Sequence, residues 1–520
     1  MAIQNAVRTE KTVSDPNAEY DSLKPLWDRS RALCSGEKYV KAADVYIDRI
    51  GYSNMLIPFS PSMTDEQYRF YKAEAELPGI TAQFAKLLIG GLLRKMPILT
   101  LPESAPADAK DWIINNFGKD DSTLISFLDE ALWEEIQTNR AWVYVDYPNI
   151  NNVENLTAED IKDIKPYPTL WTADSVINWR TSIDMKGKLS LNRVVYRGYV
   201  ESYEKNEFHP TLIDTIWVHE LDETGYYQIR VFEEKSITAE ALVISGQKTT
   251  NTNTKVFKEV KTITNIMANG ERLDSLPIWP LNGRVSPQEP LLSPIIDKEI
   301  ALYNKMSRRN HLLYGAATYT PILSSDVTDD AFQDIVSAGL GSWIHLNQGD
   351  TASILDTPTA ALADMDRAIA SAIEEMAKLG IRMLTPESNQ SGVALEIRNA
   401  AQTAQLGTLS TKISNVIAQI IIFMINWRYG TEYVEGEIDF ILSEDFNPVP
   451  LGADWLRLAT EWYREGLVPR SVWLQLLKVN DMIDSDYDDK DGIAEINDDE
   501  LLMPKADSDY TNKIADEENM

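Results

Sequence analysis

The 37 residues from Val393 to Tyr429 contain no proline and a single glycine, Gly407, and they set the scale of whatever this chain folds into. A continuous helix of that length spans roughly 55 Å at 1.5 Å of rise per residue, more than the width of a small domain. Its composition is uneven, with Ala, Gln, Asn and Ser in the first half and Ile in the second. The first half lacks a one-sided apolar stripe, so the two halves are expected to face different surroundings. The run "VIAQIIIFMINW", Val416 to Trp427, is interrupted by Gln419 and Asn426 and falls short of the roughly 20 residues that span a bilayer. It reads as a buried helix face, and no membrane is expected as a partner.

Two further helices precede it. "SPIIDKEIALYNKMSRRNHLLYGA" has Pro294 in its first turn, where the missing N–H costs nothing. Ile295, Ile296, Ile300, Tyr303 and Met306 fall on one face, and Lys298, Lys305, Arg308 and Arg309 gather basic charge along its length. "TAALADMDRAIASAIEEMAKLG" places Leu362, Met365, Ile369, Ile373 and Met376 together. Between these helices lies a stretch with short strand signals and Gly339, Gly341 and Gly349. Between the second and the long one lies "TPESNQSG", Thr385 to Gly392, which fits neither helix, strand nor a known catalytic loop.

The front of the chain is helical to about Lys95. "AADVYIDRI" and "ELPGITAQFAKLLIGGLLRKMP" carry apolar residues at three and four spacing; Gly90 and Gly91 weaken the second pattern or mark a bend, and Pro97 stops it. "STLISFLDEALWEEIQTNR" starts at a Ser122 cap and aligns Leu124, Leu128, Leu132 and Ile136 as a core stripe. From Ala141 to about Asn282 the period changes to two, predicting antiparallel strands with one dry face. "IWVHELDETGYYQIRVF" is the clearest hairpin, turning at Asp222 to Gly225. Five prolines between Pro277 and Pro294 mark a boundary. After the long helix, "EGEIDFILSEDF" is a strand candidate whose expected place is the earlier sheet, and "ADWLRLATEWYREGLVPRSVWLQLLKV" is two amphipathic helices broken at Gly466 and Pro469. From Asp481 onward fifteen acids face three bases, the composition of a loosely attached tail. The fold class expected is α+β.

Composition bounds the chemistry. A net charge of -31 over 520 residues argues against a surface built to grip phosphates. A lone Cys34 excludes an internal disulfide and a metal–thiolate site. The N-terminal segment has no apolar core of a secretory signal. No phosphate-cradling G-x-x-x-x-G-K-[ST], no H-E-x-x-H and no G-x-S-x-G occurs, and His209, His219, His311 and His345 have no ligand spacing. Tyr487 to Asp498 places Asp489, Asp491 and Gly492 at calcium-loop offsets, but Tyr487 occupies the position of the required first carboxylate. No metal, cofactor or catalytic residue is expected. A pair of carboxylates acting on a glycoside stays open, because 80 acids can meet in space without a sequence signature.

The order helix, β-rich insert, helix, short polar loop and very long helix resembles the portal proteins of tailed bacteriophages. "RALCSGEKYVKAADVYIDRI" and "ELPGITAQFAKLLIGGLLRKMP" also look like the start of a phage portal family long catalogued as a domain of unknown function. The resemblance implies a wing over 1–292, helical first and then antiparallel β from about 141. It implies a first stem helix over 293–314, a clip over 315–357 and a second stem helix over 358–380. A tunnel loop region over 381–392 follows, then the wing's long helix and returning strand over 393–450, and a helical crown with its acidic tail over 451–520.

The tunnel loop so placed is Thr385, Pro386, Glu387, Ser388, Asn389, Gln390, Ser391 and Gly392. In the family, stem helices and this loop from about twelve subunits line a channel for packaging and ejecting double-stranded DNA, without sequence specificity. The clip faces the terminase large subunit and later the head–tail adaptor. The resemblance further implies major capsid and scaffolding proteins as partners, assembly in the bacterial host cytoplasm and a place at one vertex of the virion. A polar loop suits a bore, and a ring of acidic subunits repels phosphates so that the duplex slides. Lys305, Arg308, Arg309, Lys378 and Arg382 either form cationic rings in that bore or are ordinary residues, in salt bridges to neighbouring subunits or on a solvated stem surface. Trp343, Ile344 and His345 belong to the clip, the first two either pairing with an adjoining clip or filling a local core. The other open reading among virion proteins is a head or connector component without a channel.

Overall fold

The computed structural model describes residues 12–42, 55–119, 122–148, 164–183, 187, 189–204, 207–238, 253–264, 266–268, 271–317, 320–324, 349, 351–355, 360–379, 392–442, 453–466 and 468–479. The chain divides into two compact units, Met1–Glu444 and Asp445–Met520. Both helix and sheet are extensive, in keeping with the α+β expectation.

The first unit opens with helices α1 (Ala18–Ser35), α2 (Glu37–Ala42), α3 (Asp65–Glu74) and α4 (Ile80–Leu92). Asn17 caps α1 by accepting from the Glu19 N–H at 3.0 Å, and Trp27 and Leu33 on its inner face are fully buried. Gly90 and Gly91 do not break α4, which continues through both. After β1 (Ile98–Thr100) and α5 (Ala109–Asn115), α6 (Leu124–Thr138) starts one residue later than the sequence signal placed it. Thr123, not Ser122, accepts from the Ser126 N–H at 3.3 Å. Leu124, Leu128, Leu132 and Ile136 are buried as expected.

The β region holds β2 (Trp142–Asp146), β3 (Tyr167–Trp171), β4 (Val176–Ile183), β5 (Leu189–Ser202), β6 (Thr211–Leu221), β7 (Tyr227–Thr238) and β8 (Asn253–Ile263), then β9 (Met267–Ala268), β10 (Glu271–Arg272) and β11 (Ile278–Pro280). β4 to β8 form an antiparallel meander, and β2 sits between β11 and β3 in a second sheet. The hairpin β6–β7 turns where the sequence placed it. The Asp222 carboxylate accepts from the backbone of Thr224 and Tyr226, and Gly225 adopts φ +87°. Aromatic rings run across both sheets, Tyr144 on Trp171 at 4.7 Å and Trp171 on Tyr196 at 4.4 Å. Gly198 makes room for this packing, since a Cβ there would lie 2.8 Å from the Tyr196 ring and 3.1 Å from that of Trp217.

A buried polar joint links α6 to β2. The Arg140 guanidinium lies 4.2 Å from the Trp142 ring and 4.6 Å from that of Trp179, and donates to the carbonyls of Arg284 and Val285. Glu135, fully buried, accepts from the Ala141 N–H at 2.8 Å. Burial pushes its carboxyl up to about 7. A carboxyl raised on folding binds more protons in the folded than in the unfolded chain, so its contribution to stability falls as pH rises from about 4.5 to about 7. Glu135→Gln has no such group to ionise. Its melting temperature relative to the parent should therefore climb across that window, by the equivalent of roughly 3 kcal/mol at full ionisation. Thermal melts at pH 5 and pH 8 check the sign.

β14 (Asp439–Ile441) does not rejoin the large sheet; it pairs with β1, Phe440 opposite Leu99, both buried. The reason is local, because the long helix before β14 packs on both β14 and α4, and α4 leads into β1. In the second unit, helices Ala453–Arg464 and Arg470–Val479 meet through Tyr463 stacked on Trp473 at 5.0 Å, with the break at Gly466 (φ +71°) where the sequence put it. The acidic stretch with the calcium-loop offsets lies outside the described residues.

Candidate functional site

Helix α7 (Ser293–Ala317) is 25 residues long, about 37 Å, and α8 (Ala360–Leu379) is 20 residues, about 30 Å. Lys298 pairs with Glu375 at 2.7 Å and Arg309 with Asp366 at 2.6 Å, so the numbering rises along one rod as it falls along the other. The rods are antiparallel. Between them, β12 (Thr320–Ser324) pairs antiparallel with β13 (Thr351–Leu355), from Thr320 opposite Leu355 to Ser324 opposite Thr351. The chain thus leaves along one rod, turns through a strand pair and returns along the other.

The first rod is rooted by polar side chains inside its apolar face. Glu299 is fully buried and accepts from the Ile80 N–H at 2.8 Å and the Thr81 N–H at 2.7 Å. The residue before α4 is Gly79, which supplies no side-chain cap, so the carboxylate of α7 caps α4 in its place. Asn304 accepts from the Ile57 N–H and donates to the Met55 carbonyl, each at 2.8 Å. Ile295, Ile296, Leu302 and Tyr303 complete the buried face, while Leu313 and Tyr314 toward the far end are exposed. On the returning rod Met376 is buried and Ile373 is 45% exposed.

Helix α9 (Gly392–Tyr429) continues for 38 residues without a break. Its second half has one dry face: Ile413, Ile417, Ile420, Ile421, Met424 and Ile425 are fully buried. Gly283, at φ +69°, lets the turn after β11 approach Val416, whose methyl would sit 3.5 Å from a Cβ there. Counted from Leu406, the apolar stretch is 24 residues, longer than the interrupted run read from sequence and long enough by length and composition to cross a membrane. Half of its most apolar stretch is buried within this chain.

Among the sequence-derived site residues, Lys305 is exposed on α7 and Arg309 is engaged with Asp366. Arg308 is half-buried near Tyr71 of α3, whose phenol burial pushes up to about 12 against the pull of that guanidinium. Lys378 lies in the last turn of α8. Arg382, Thr385 to Ser391, Trp343, Ile344 and His345 lie outside the described residues, and Gly392 is the first residue of α9. Among the described residues no group of three or more His, Cys, Asp or Glu is placed to hold a metal ion. Sequence reasoning missed Glu299 and Asn304. The available signal was their spacing, since Glu299 follows Ile295 by four residues and Ile296 by three, which puts an acid on the apolar stripe.

The family described as "Domain of unknown function (DUF4055)" matches residues 290–428, about a quarter of the chain, from the start of α7 to the penultimate residue of α9. The front segments that carried part of the resemblance lie outside that match. No curated protein matches the chain. Among solved structures, it is similar to a chain of the "Virion of native gene transfer agent (GTA) particle", at 10% identity and TM-score 0.34, covering 76% of this chain and 89% of that one. It is also similar to a chain of the "Neck of native GTA particle computed with C12 symmetry", at 10% identity and TM-score 0.33, covering 80% and 94%. A chain of the "Neck of empty GTA particle computed with C6 symmetry" gives 9% identity and TM-score 0.34, covering 80% and 95%.

Proposed function

We propose that this chain is a portal protein of the tailed-phage type, a structural subunit and not an enzyme. Copies close side by side into a ring at one capsid vertex. The ring is the channel for packaging and ejecting double-stranded DNA and the platform on which terminase and then the head–tail adaptor dock. The observation that carries this reading is the pair of antiparallel rods, 293–317 and 360–379, joined through a strand pair and followed by a 38-residue helix. The match to the family of unknown function spans that same unit. A rod whose return limb leaves Ile373 exposed acquires an apolar partner when it packs on the next copy in a closed heterologous ring.

Ion pairs such as Arg309–Asp366 neutralise stem cations, so the net negative subunit offers phosphates little to hold. In this reading Thr385 to Gly392 projects into the bore without building the subunit interface. Deleting Ser388 to Gln390 should then leave the oligomer's mass by light scattering unchanged while DNA packaging or retention in assembled particles drops. Loss of the oligomer on deletion would remove the loop from the bore.

A further inference from the structure

A cavity of about 720 Å³ lies in the first unit between the β2–β3 sheet, the inner face of the β4–β8 meander and the end of α9, and nothing in the portal reading uses it. Its size falls within the range of small-molecule sites. Three polar groups meet at Asp146. Asp146 Oδ1 accepts from the Tyr144 hydroxyl at 3.1 Å and the Tyr147 N–H at 2.8 Å, and Oδ2 accepts from the Tyr167 hydroxyl at 3.2 Å. The rest of the lining is mostly aromatic and aliphatic, with Trp427 of α9 stacked on Tyr147 at 5.3 Å and Ile263 and Met267 among its residues, besides Thr169, Thr264 and His219.

We infer that this cavity is a binding site for a primary alkylammonium group, its charge against Asp146 and its aliphatic body among the rings.

Three features select that chemistry. A carboxylate has about four lone-pair positions, and three are taken here, leaving one on Oδ2. One free acceptor suits a point-like ammonium better than the two-pronged fork of a guanidinium. Among the described residues, the charged side chains lining the cavity are this carboxylate and Lys119, which is exposed with its Nζ 5.8 Å from the centre of the Tyr167 ring. Among the described lining residues a phosphate would meet Asp146 with no buried cation to offset it, and Arg428 just beyond the lining is paired with Asp108 at 3.3 Å, whereas an ammonium of this chain already stands over one of the cavity's rings. His219, in the lining, shares a 2.6 Å hydrogen bond with the Tyr227 hydroxyl, and burial pulls its pKa down to about 3, so it places no positive charge against a bound cation. A sugar needs donors and acceptors spread around its ring. The Tyr144 and Tyr167 hydroxyls are already committed to Asp146, and Ile229, Ile263, Ile266 and Met267 in the lining offer no polar side chain; Thr169 and Thr264 do, so glucose is included as a comparison probe.

The group has two sources, a free diamine or a lysine side chain of a partner protein, and the probes separate them. Calorimetric titration of the full-length protein with n-butylammonium, pentane-1,5-diamine and N-acetyl-lysine-methylamide should give saturable millimolar or tighter binding for at least one. The diamine binding more tightly assigns a free polyamine, the lysine derivative binding more tightly assigns a protein ligand, and equal binding supports the ammonium chemistry common to both. n-Butanol, which matches n-butylammonium in size without the charge, should bind about tenfold or more weakly. Asp146→Asn should weaken the ammonium probes by a similar factor while melting like the parent. The inference is overturned if no ammonium probe saturates, if n-butanol or glucose binds as tightly, or if a folded Asp146→Asn protein binds the ammonium probes unchanged. The butanol comparison uses the parent protein alone, so it decides even if the variant does not fold.

Discussion

Ile373→Asp should abolish ring assembly while leaving the isolated chain folded. In one chain Ile373 is 45% exposed on α8, so an aspartate there stays largely hydrated and changes the stability of the single subunit by no more than about 0.5 kcal/mol. In the proposed ring the same position lies against the neighbouring rod, and every interface would bury an unpaired carboxylate at a cost of several kcal/mol. The two effects separate cleanly by measurement. Sedimentation velocity should show a single subunit where the parent sediments as a large oligomer, while circular dichroism of the two proteins coincides. A variant that still forms the parent's oligomer would place α8 away from the subunit interface.

Glu299→Ala should be the most damaging single substitution in the root of the first rod. It removes two charge-assisted hydrogen bonds to the first N–H groups of α4, leaves the Thr81 donor buried without its acceptor and opens a cavity, together about 3–4 kcal/mol. Glu299→Gln keeps an acceptor oxygen and the side-chain volume, and should cost about half as much. Hydrogen exchange reads the effect where it originates. The Ile80 and Thr81 amides should lose protection in the alanine variant by a larger factor than amides in the β4–β8 meander. Uniform loss across the unit would mean that Glu299 acts on general packing and not as the cap of α4.

Much of this architecture was legible in the sequence because it depends on local periodicity. Pro294 in a first turn, the spacing of Ile295, Ile300 and Tyr303 and the absence of proline after Val393 put three helices within a few residues of where they lie. The Asp222–Gly225 turn carries its own chemistry, a carboxylate that accepts from following N–H groups and a glycine at positive φ. What depends on distant partners was not legible. β14 is three residues long and meets a strand more than three hundred residues earlier, so no local pattern names its neighbour. Glu299 and Asn304 read as ordinary helix positions until the N–H groups of residues 57, 80 and 81 are brought beside them. The cavity around Asp146 draws on β2, β3, the meander and the end of α9, and its residues read separately as strand and helix core.

In the proposed function the rods 293–317 and 360–379 and the long helix after them belong to a subunit that closes around an axis. Negative-stain electron microscopy of the purified full-length protein shows whether it does. Top views should show rings with a central hole, and side views the rods projecting along the axis. Uniform small particles at every protein concentration, with no hole in any class average, would rule the ring out.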